Sequence, residues 1–251
     1  MQILVVVAPV FATNCCVVVA GPDGRDADCV VVDAGAGVAP EVERLVAERG
    51  LVPRAVVATH GHVDHTWDAA ALCERYDVPL RIHPADVYRL ADPFGTLGLA
   101  GARDGADPGV SGALAQALAG TGRRAEDYRA PGVVEPLDLG PDGTGELVAG
   151  TVRLRTRHAP GHTEGSTLLV AEEPARDAGG GTGVVLTGDV LFAGGVGRTD
   201  LPGGDAATMA RTLRDVVGRL DPDLGVVPGH GPATTVGREL AGNPYLRPHL
   251  R

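Results

Sequence analysis

Short apolar runs rich in Val, Ile and Cys alternate with polar turns along most of the chain, and they predict strands at Ile3–Val10, Cys15–Ala20, Cys29–Asp33, Arg54–Thr59 and Val78–His83. The first three are separated only by Asn14 or by the turn Gly21-Pro22-Asp23-Gly24, which reads as antiparallel pairing. Further runs at Val133–Leu137, Leu147–Ala149, Thr151–Thr156, Ser166–Ala171, Val184–Thr187 and Leu224–Val227 continue the pattern. Between the strands the period lengthens to that of a helix. Pro40–Glu48 places Val42, Leu45 and Val46 on one face, with Gly50 as the stop. Thr66–Tyr76 turns Ala70, Leu72 and Cys73 inward. Asp205–Leu220 carries the stripe Met209, Leu213, Val216, Val217 and Leu220 behind an Asp205 N-cap, and the tail holds one short helix. From Ala91 to Gly132 the pattern dissolves into Gly, Pro, Asp and Ala around one helix at Ser111–Ala119. That stretch reads as a surface loop or as a flap over a site.

Length and charge narrow the class. A chain of 251 residues is within reach of a single α/β domain spanning 1–251, and no stretch reads as a linker between two cores. The net charge is −10 and the sequence has no lysine, so there is no basic stripe to hold nucleic acid or an anionic membrane. Cys15, Cys16, Cys29 and Cys73 lack C-x-x-C spacing and read as small buried hydrophobes in a reducing cytoplasm. The apolar first twenty residues have no basic leader and are interrupted by Pro9 and Asn14, which argues against a signal peptide. No window is long and apolar enough to span a bilayer. The expectation is a soluble cytoplasmic protein, monomeric or a homodimer.

The chemistry concentrates in Thr59-His60-Gly61-His62-Val63-Asp64-His65. Three imidazoles and a carboxylate in one turn have no packing advantage over apolar residues, but they are the ligands that zinc, iron or manganese accept. In extended backbone His60 and His62 face the same way and can reach one ion. If a helix follows, Asp64 and His65 are aimed toward a second. Other strand ends carry His162 in Pro160-Gly161-His162, Asp189 in Gly188-Asp189, and His230 in Pro228-Gly229-His230.

Taken together and in order, V-V-D-A-G at 31–35, T-H-G-H-V-D-H at 59–65, A-P-G-H-T at 159–163, T-G-D at 187–189 and P-G-H-G at 228–231 resemble the metallo-β-lactamase superfamily over nearly the whole chain. The match is closest to its glyoxalase II-like branch. The resemblance implies a four-layer αββα sandwich with metals at one edge. It implies that His60, His62 and His162 hold one divalent ion, that Asp64, His65 and His230 hold the other, and that Asp189 bridges them. Asp33 and His158 resemble positions that orient loops or ligands.

Asp64 and Asp189 are the catalytic candidates. Two cations sharing a hydroxide would hydrolyse an acyl thioester of a small thiol, zinc being the expected metal and iron or manganese compatible. Glyoxalase II enzymes hold glutathione with a Lys and a Tyr after the bridging Asp and with a C-terminal extension. Here the loop reads Gly195-Val196-Gly197-Arg198-Thr199-Asp200, and about twenty residues follow the His230 motif. Arg198 is placed to grip a substrate carboxylate or to pair with an acid such as Asp200. Persulfide dioxygenases resemble this branch too and share the Gly-Arg-Thr-Asp loop, using one iron that would map to His60, His162 and Asp189.

Overall fold

Alternation along the strands decides the layering. In the computed structural model, which describes residues 1–21, 26–97, 116–171 and 183–249, the first half forms a six-stranded sheet. Its strands are β1 (Gln2–Val7), β2 (Asn14–Val19), β3 (Asp28–Val32), β4 (Val52–Val57), β5 (Leu80–Ile82) and β6 (Val134–Pro136), adjacent in chain order. β1 to β3 pair antiparallel and β3 to β6 parallel. The second sheet holds β7 (Thr144–Ala149), β8 (Val152–His158), β9 (Thr167–Ala171), β10 (Val184–Gly188), β13 (Gly225–Pro228) and β14 (Thr234–Thr235), in the order β14-β13-β10-β9-β8-β7. A hairpin of β11 (Leu191–Phe192) and β12 (Gly195–Val196) projects beside it.

Successive residues of a strand point to opposite faces. Cys16, Val18, Val30 and Val32 therefore meet Leu147, Leu154, Leu169 and Leu186 between the sheets. Cys15, Val17, Cys29 and Val31 pack outward on Val42 and Val46 of α1 (Ala39–Arg49) and on Leu72 and Cys73 of α3 (Ala69–Tyr76). On the far side Leu168, Val170, Val185 and Val226 meet Met209 and Leu213 of α4 (Ala206–Asp215) and Val236 of α5 (Val236–Gly242). The result is a mixed α/β sandwich with helices outside two sheets. All four cysteines are buried free thiols.

Several elements depart from their sequence boundaries for local reasons. The helix expected over Thr66–Tyr76 is two: α2 (Val63–Thr66) and α3, broken around Asp68. Asp68 is diverted because its carboxylate accepts the Gly37 and Ala39 N–H groups, each at 2.9 Å, at the start of α1. The first strand ends at Val7, since Phe11 and Ala12 adopt left-handed backbone (φ 60° and 55°) in the turn to β2. The helix begun by Asp205, whose carboxylate accepts the Thr208 N–H, ends at Asp215 and passes into a 3₁₀ turn at Val217–Arg219. Residues 22–24 of the Gly21–Gly24 turn and most of the Ser111–Ala119 helix lie outside the described residues, although residues 116–119 are helical. The flanks of the 91–132 stretch are anchored, Phe94 and Leu118 packing with Val10, Val63 and Trp67. Whether its centre covers a site also falls outside the described residues. Among the described residues no helix is long and apolar enough to cross a membrane.

Parallel pairing delivers carboxyl ends to the same edge. β3 and β4 bring Asp33 beside Thr59, and β10 and β13 bring Asp189 beside His230. The β8–β9 connection, with His162, opens at that edge as well.

Candidate metal centre

All seven sequence-predicted ligand residues converge. His60, His62 and His162 form one group, Asp64, His65 and His230 a second, and Asp189 joins His60 and His65 in a third; in each the donor atoms lie within 4.8 Å of one another. The His62 Nδ1 atom sits 3.1 Å from His60 Nε2 and 2.9 Å from His162 Nε2. His230 Nε2 is 3.3 Å from His65 Nε2, 3.2 Å from Asp64 Oδ2 and 3.5 Å from Asp189 Oδ2. Asp189 also reaches the first group, its Oδ2 lying 3.6 Å from His162 Nε2.

The backbone explains the aim of these side chains. His62 ends the loop after β4 in extended conformation (φ −68°, ψ 147°), and α2 begins at the next residue. The switch from period two to period 3.6 splits the motif, leaving His60 and His62 together and sending Asp64 and His65 to the other group. Gly229 permits the approach of the last loop: a Cβ there would stand 2.2 Å from Asp189 Oδ1.

Outer hydrogen bonds fix the tautomers. A carbonyl oxygen only accepts, so His162 Nδ1–H donates to the Arg198 carbonyl (2.8 Å) and His230 Nδ1–H to the Phe11 carbonyl (2.9 Å). The Thr59 hydroxyl donates to Asp33 Oδ2 at 2.8 Å, and its oxygen is left to accept from His60 Nδ1–H at 3.1 Å. His65 Nδ1 lies 3.0 Å from the same Asp33 oxygen. The Nε2 lone pairs of His60, His162 and His230 therefore point inward, while His62 turns Nδ1 inward. Such lone pairs repel at these separations unless a proton or a cation lies between them. Asp189 Oδ1 is buried without a hydrogen-bond partner, which also fits a cation-binding cage.

Electrostatics divide the cluster. Burial, reinforced by neighbouring imidazoles, pushes His60 well below its ordinary value and His62 down to about 3. For His65 burial also opposes the charged form, but Asp33, Asp189 and Asp64 outweigh it and hold the imidazole well above its ordinary value. His230 is raised in the same way: burial is overcome by its hydrogen bond to Asp64 and by Asp189. Burial works against ionisation of Asp64 and Asp189, yet the His65 charge beside both keeps them below the usual carboxylate range.

Arg198 and Asp200 form an exposed two-pronged pair, Nε to Oδ1 and Nη2 to Oδ2, both at 2.7 Å. His158 stands apart from the ligand cluster, stacked on His83 (centroids 4.1 Å, planes 5° apart), and its Nε2–H donates to the Glu164 carbonyl. His83, just past β5, is thus half of a stacked pair. Sequence reasoning passed over Asp86 and Arg89, both fully buried behind the ligand loops. They sit on a 3₁₀ turn, Pro84–Leu90, with no ligand-like spacing to mark them. The Phe11 carbonyl was equally invisible, since any residue supplies one.

The sequence family described as the metallo-beta-lactamase superfamily matches residues 8–230. Relatives include an uncharacterized protein of Mycobacterium tuberculosis, 36% identical over 242 residues and 95% of each chain. The probable metallo-hydrolase YqgX of Bacillus subtilis is 32% identical over 88% of each chain. Hydroxyacylglutathione hydrolase GloC of Haemophilus influenzae is 28% identical over 98% of each. Among solved structures, TTHA1623 in a di-iron-bound form superposes with a TM-score of 0.67 at 28% identity, covering 98% of this chain and 100% of that one. The BLEG-1 B3 metallo-beta-lactamase gives 0.67 at 27%, covering 98% and 99%.

Proposed function

The chain belongs to the metallo-β-lactamase superfamily, and from that premise we propose that it is a metal-dependent hydrolase of the glyoxalase II-like kind, cleaving the hydroxyacyl thioester of a small thiol. One observation carries the reading: the complete set of five imidazoles and two carboxylates converges, with Asp189 facing both groups. His60, His62 and His162 would hold one divalent ion, Asp64, His65 and His230 the other, and Asp189 both. Zinc is the expected metal, with iron or manganese compatible with the same donors. When bound, such ions supply Lewis acidity and make water acidic enough to ionise near neutral pH.

The rest falls to the chain's own groups. The Phe11 and Arg198 carbonyls and the Thr59 hydroxyl hold the outer imidazole protons, so the inner nitrogens stay available as ligands. Asp64 and Asp189 keep ionised oxygens at the centre, where they would ligate the ions and orient a water. The thiolate leaving group of a thioester, with a pKa near ~8.5, departs without a strong general acid. Arg198 supplies a cation for a carboxylate on the thiol, and the exposure of its pair with Asp200 leaves it open to exchange. The whole chain is read as one cytoplasmic domain acting on a small molecule, as monomer or homodimer.

The test is metal content per chain after anaerobic purification, paired with thiol release from a lactoyl thioester and oxygen uptake on a thiol persulfide. Two metals with thiol release are expected. One iron with oxygen uptake would replace this function with a dioxygenase using His60, His162 and Asp189.

A further inference from the structure

We propose that Asp86 is the positioning residue of the three-imidazole group: its carboxylate fixes the backbone of both loops that carry His60, His62 and His162. This rests on the metal-centre reading above. Oδ2 accepts the Gly61 N–H at 2.8 Å and the Thr163 hydroxyl at 2.7 Å. Oδ1 accepts the Gly165 N–H at 2.8 Å and faces Arg89 Nε at 3.4 Å. Gly61 is the residue between two of the imidazoles, and Thr163 follows the third. A single acceptor group thus spans loops whose histidines are 100 residues apart.

A carboxylate fits this place and a neutral side chain does not. All four partners donate, so an amide would turn its own N–H₂ toward two of them. The negative charge is fully buried, and Arg89, equally buried on the same turn, compensates it. Arg89 in turn donates to the Thr96 carbonyl (3.3 Å) and the Pro202 carbonyl (3.0 Å) and pairs with Glu164, in the loop after His162. The packing has no slack. A Cβ at Gly61 would stand 2.8 Å from Arg89 Cδ and from the Asp86 carbonyl oxygen, and one at Gly165 would stand 2.6 Å from Asp86 Cγ.

Glu239 supplies the control for a merely structural carboxylate. It is also buried, and it accepts from the Gly194 N–H (2.8 Å), the Thr234 hydroxyl (2.7 Å) and Asn243 Nδ2 (2.9 Å), none of them in a ligand loop.

The experiment titrates full-length, metal-stripped protein with Co²⁺ and with Zn²⁺ against a chelating indicator, recording the Co²⁺ absorption bands and the thermal unfolding of each metal-free variant. Asp86→Asn is expected to weaken one ion ten- to a hundredfold, the ion whose absorption His62→Ala removes, and to leave the other unchanged. Thr163→Val, which deletes one donor and keeps the carboxylate, should weaken that same ion severalfold. Glu239→Gln should lower thermal stability and leave both affinities alone. Wild-type affinities in Asp86→Asn, or equal weakening of both ions, would overturn the proposal; if that variant does not fold, Thr163→Val decides on the same terms. A wild-type protein that takes up no ion sinks the metal-centre reading and the proposal together, whereas an intact wild type with an indifferent Asp86→Asn sinks the proposal alone.

Discussion

The two halves of the centre both rest on imidazoles, but in opposite electrostatic surroundings. In the three-imidazole half His60 and His62 are depressed, first by burial and then by neighbouring imidazoles. In the acid-bearing half the balance is reversed, Asp33, Asp189 and Asp64 outweighing burial to raise His65. Their supports differ too. In one half the two ligand loops share the buried Asp86 carboxylate, while the Arg198 carbonyl holds His162 and the Thr59 hydroxyl holds His60. The other is tied by Asp33 and by the Phe11 carbonyl, with Asn14 Nδ2 donating to the carbonyls of Pro228 and Gly231 at 2.9 Å each. The difference teaches that ligand identity alone does not set a site's affinity for protons or cations; the charges behind the ligands do.

The strongest way to break the comparison is to delete one ligand from each half. His62→Ala and Asp64→Ala should each lower thioester turnover more than about 100-fold, beyond the usual effect of an outer partner, while circular dichroism stays that of the folded chain. Turnover retained in both would end the two-ion account.

Acid comes next, because it should separate the halves. A ligand must lose its proton to bind metal, and His65 and His230 are raised above the ordinary imidazole value. Below the pKa of such a ligand the proton competes with the metal and weakens its binding by about tenfold per pH unit. His62, at about 3, stays unprotonated far longer. Metal retained after dialysis from pH 8 to 5 should therefore fall first by one ion, that of the acid-bearing half; simultaneous release would refute the asymmetry.

Gly61→Ala sharpens the contrast from the packing side. Overfilling the space against Arg89 and Asp86 should cost about 1–3 kcal/mol in chemical denaturation and weaken the three-imidazole ion alone. The smallest effect belongs to Arg198→Ala, an exposed residue: KM for an anionic thioester should rise severalfold with kcat nearly unchanged. An unchanged KM would return Arg198 to a structural pair with Asp200.

Much of this was legible in the sequence because strand ends and ligand types coincide. The run Thr59–His65 concentrates its signal in one turn, and Pro-Gly before His162 and His230 marks the turns that aim them. What escaped has a common cause: it depends on partners distant in sequence. Asp86 meets donors 25, 77 and 79 residues away, and nothing local distinguishes it from a surface acid. The break between α2 and α3 was hidden likewise, because Asp68 leaves the helix for partners 29 and 31 residues earlier. β8 runs to His158, two residues past the reading, since exposed Arg155 and half-buried Arg157 keep the alternation going where apolar content fades.

The stitch between the first turn and the last loop bears on the order of assembly during synthesis. Asn14 joins Gly231 across 217 residues, and His230 joins Phe11 across 219. Closing so long a loop is entropically demanding and comes late, after local and mid-range contacts have formed. Everything that positions His60, His62 and His162 through Asp86 is in hand once residue 165 has left the ribosome. The Asp86 support of the three-imidazole group is thus synthesised first, Asp189 and the Arg198 carbonyl that holds His162 next, and the His230 loop that closes onto the N-terminal turn last.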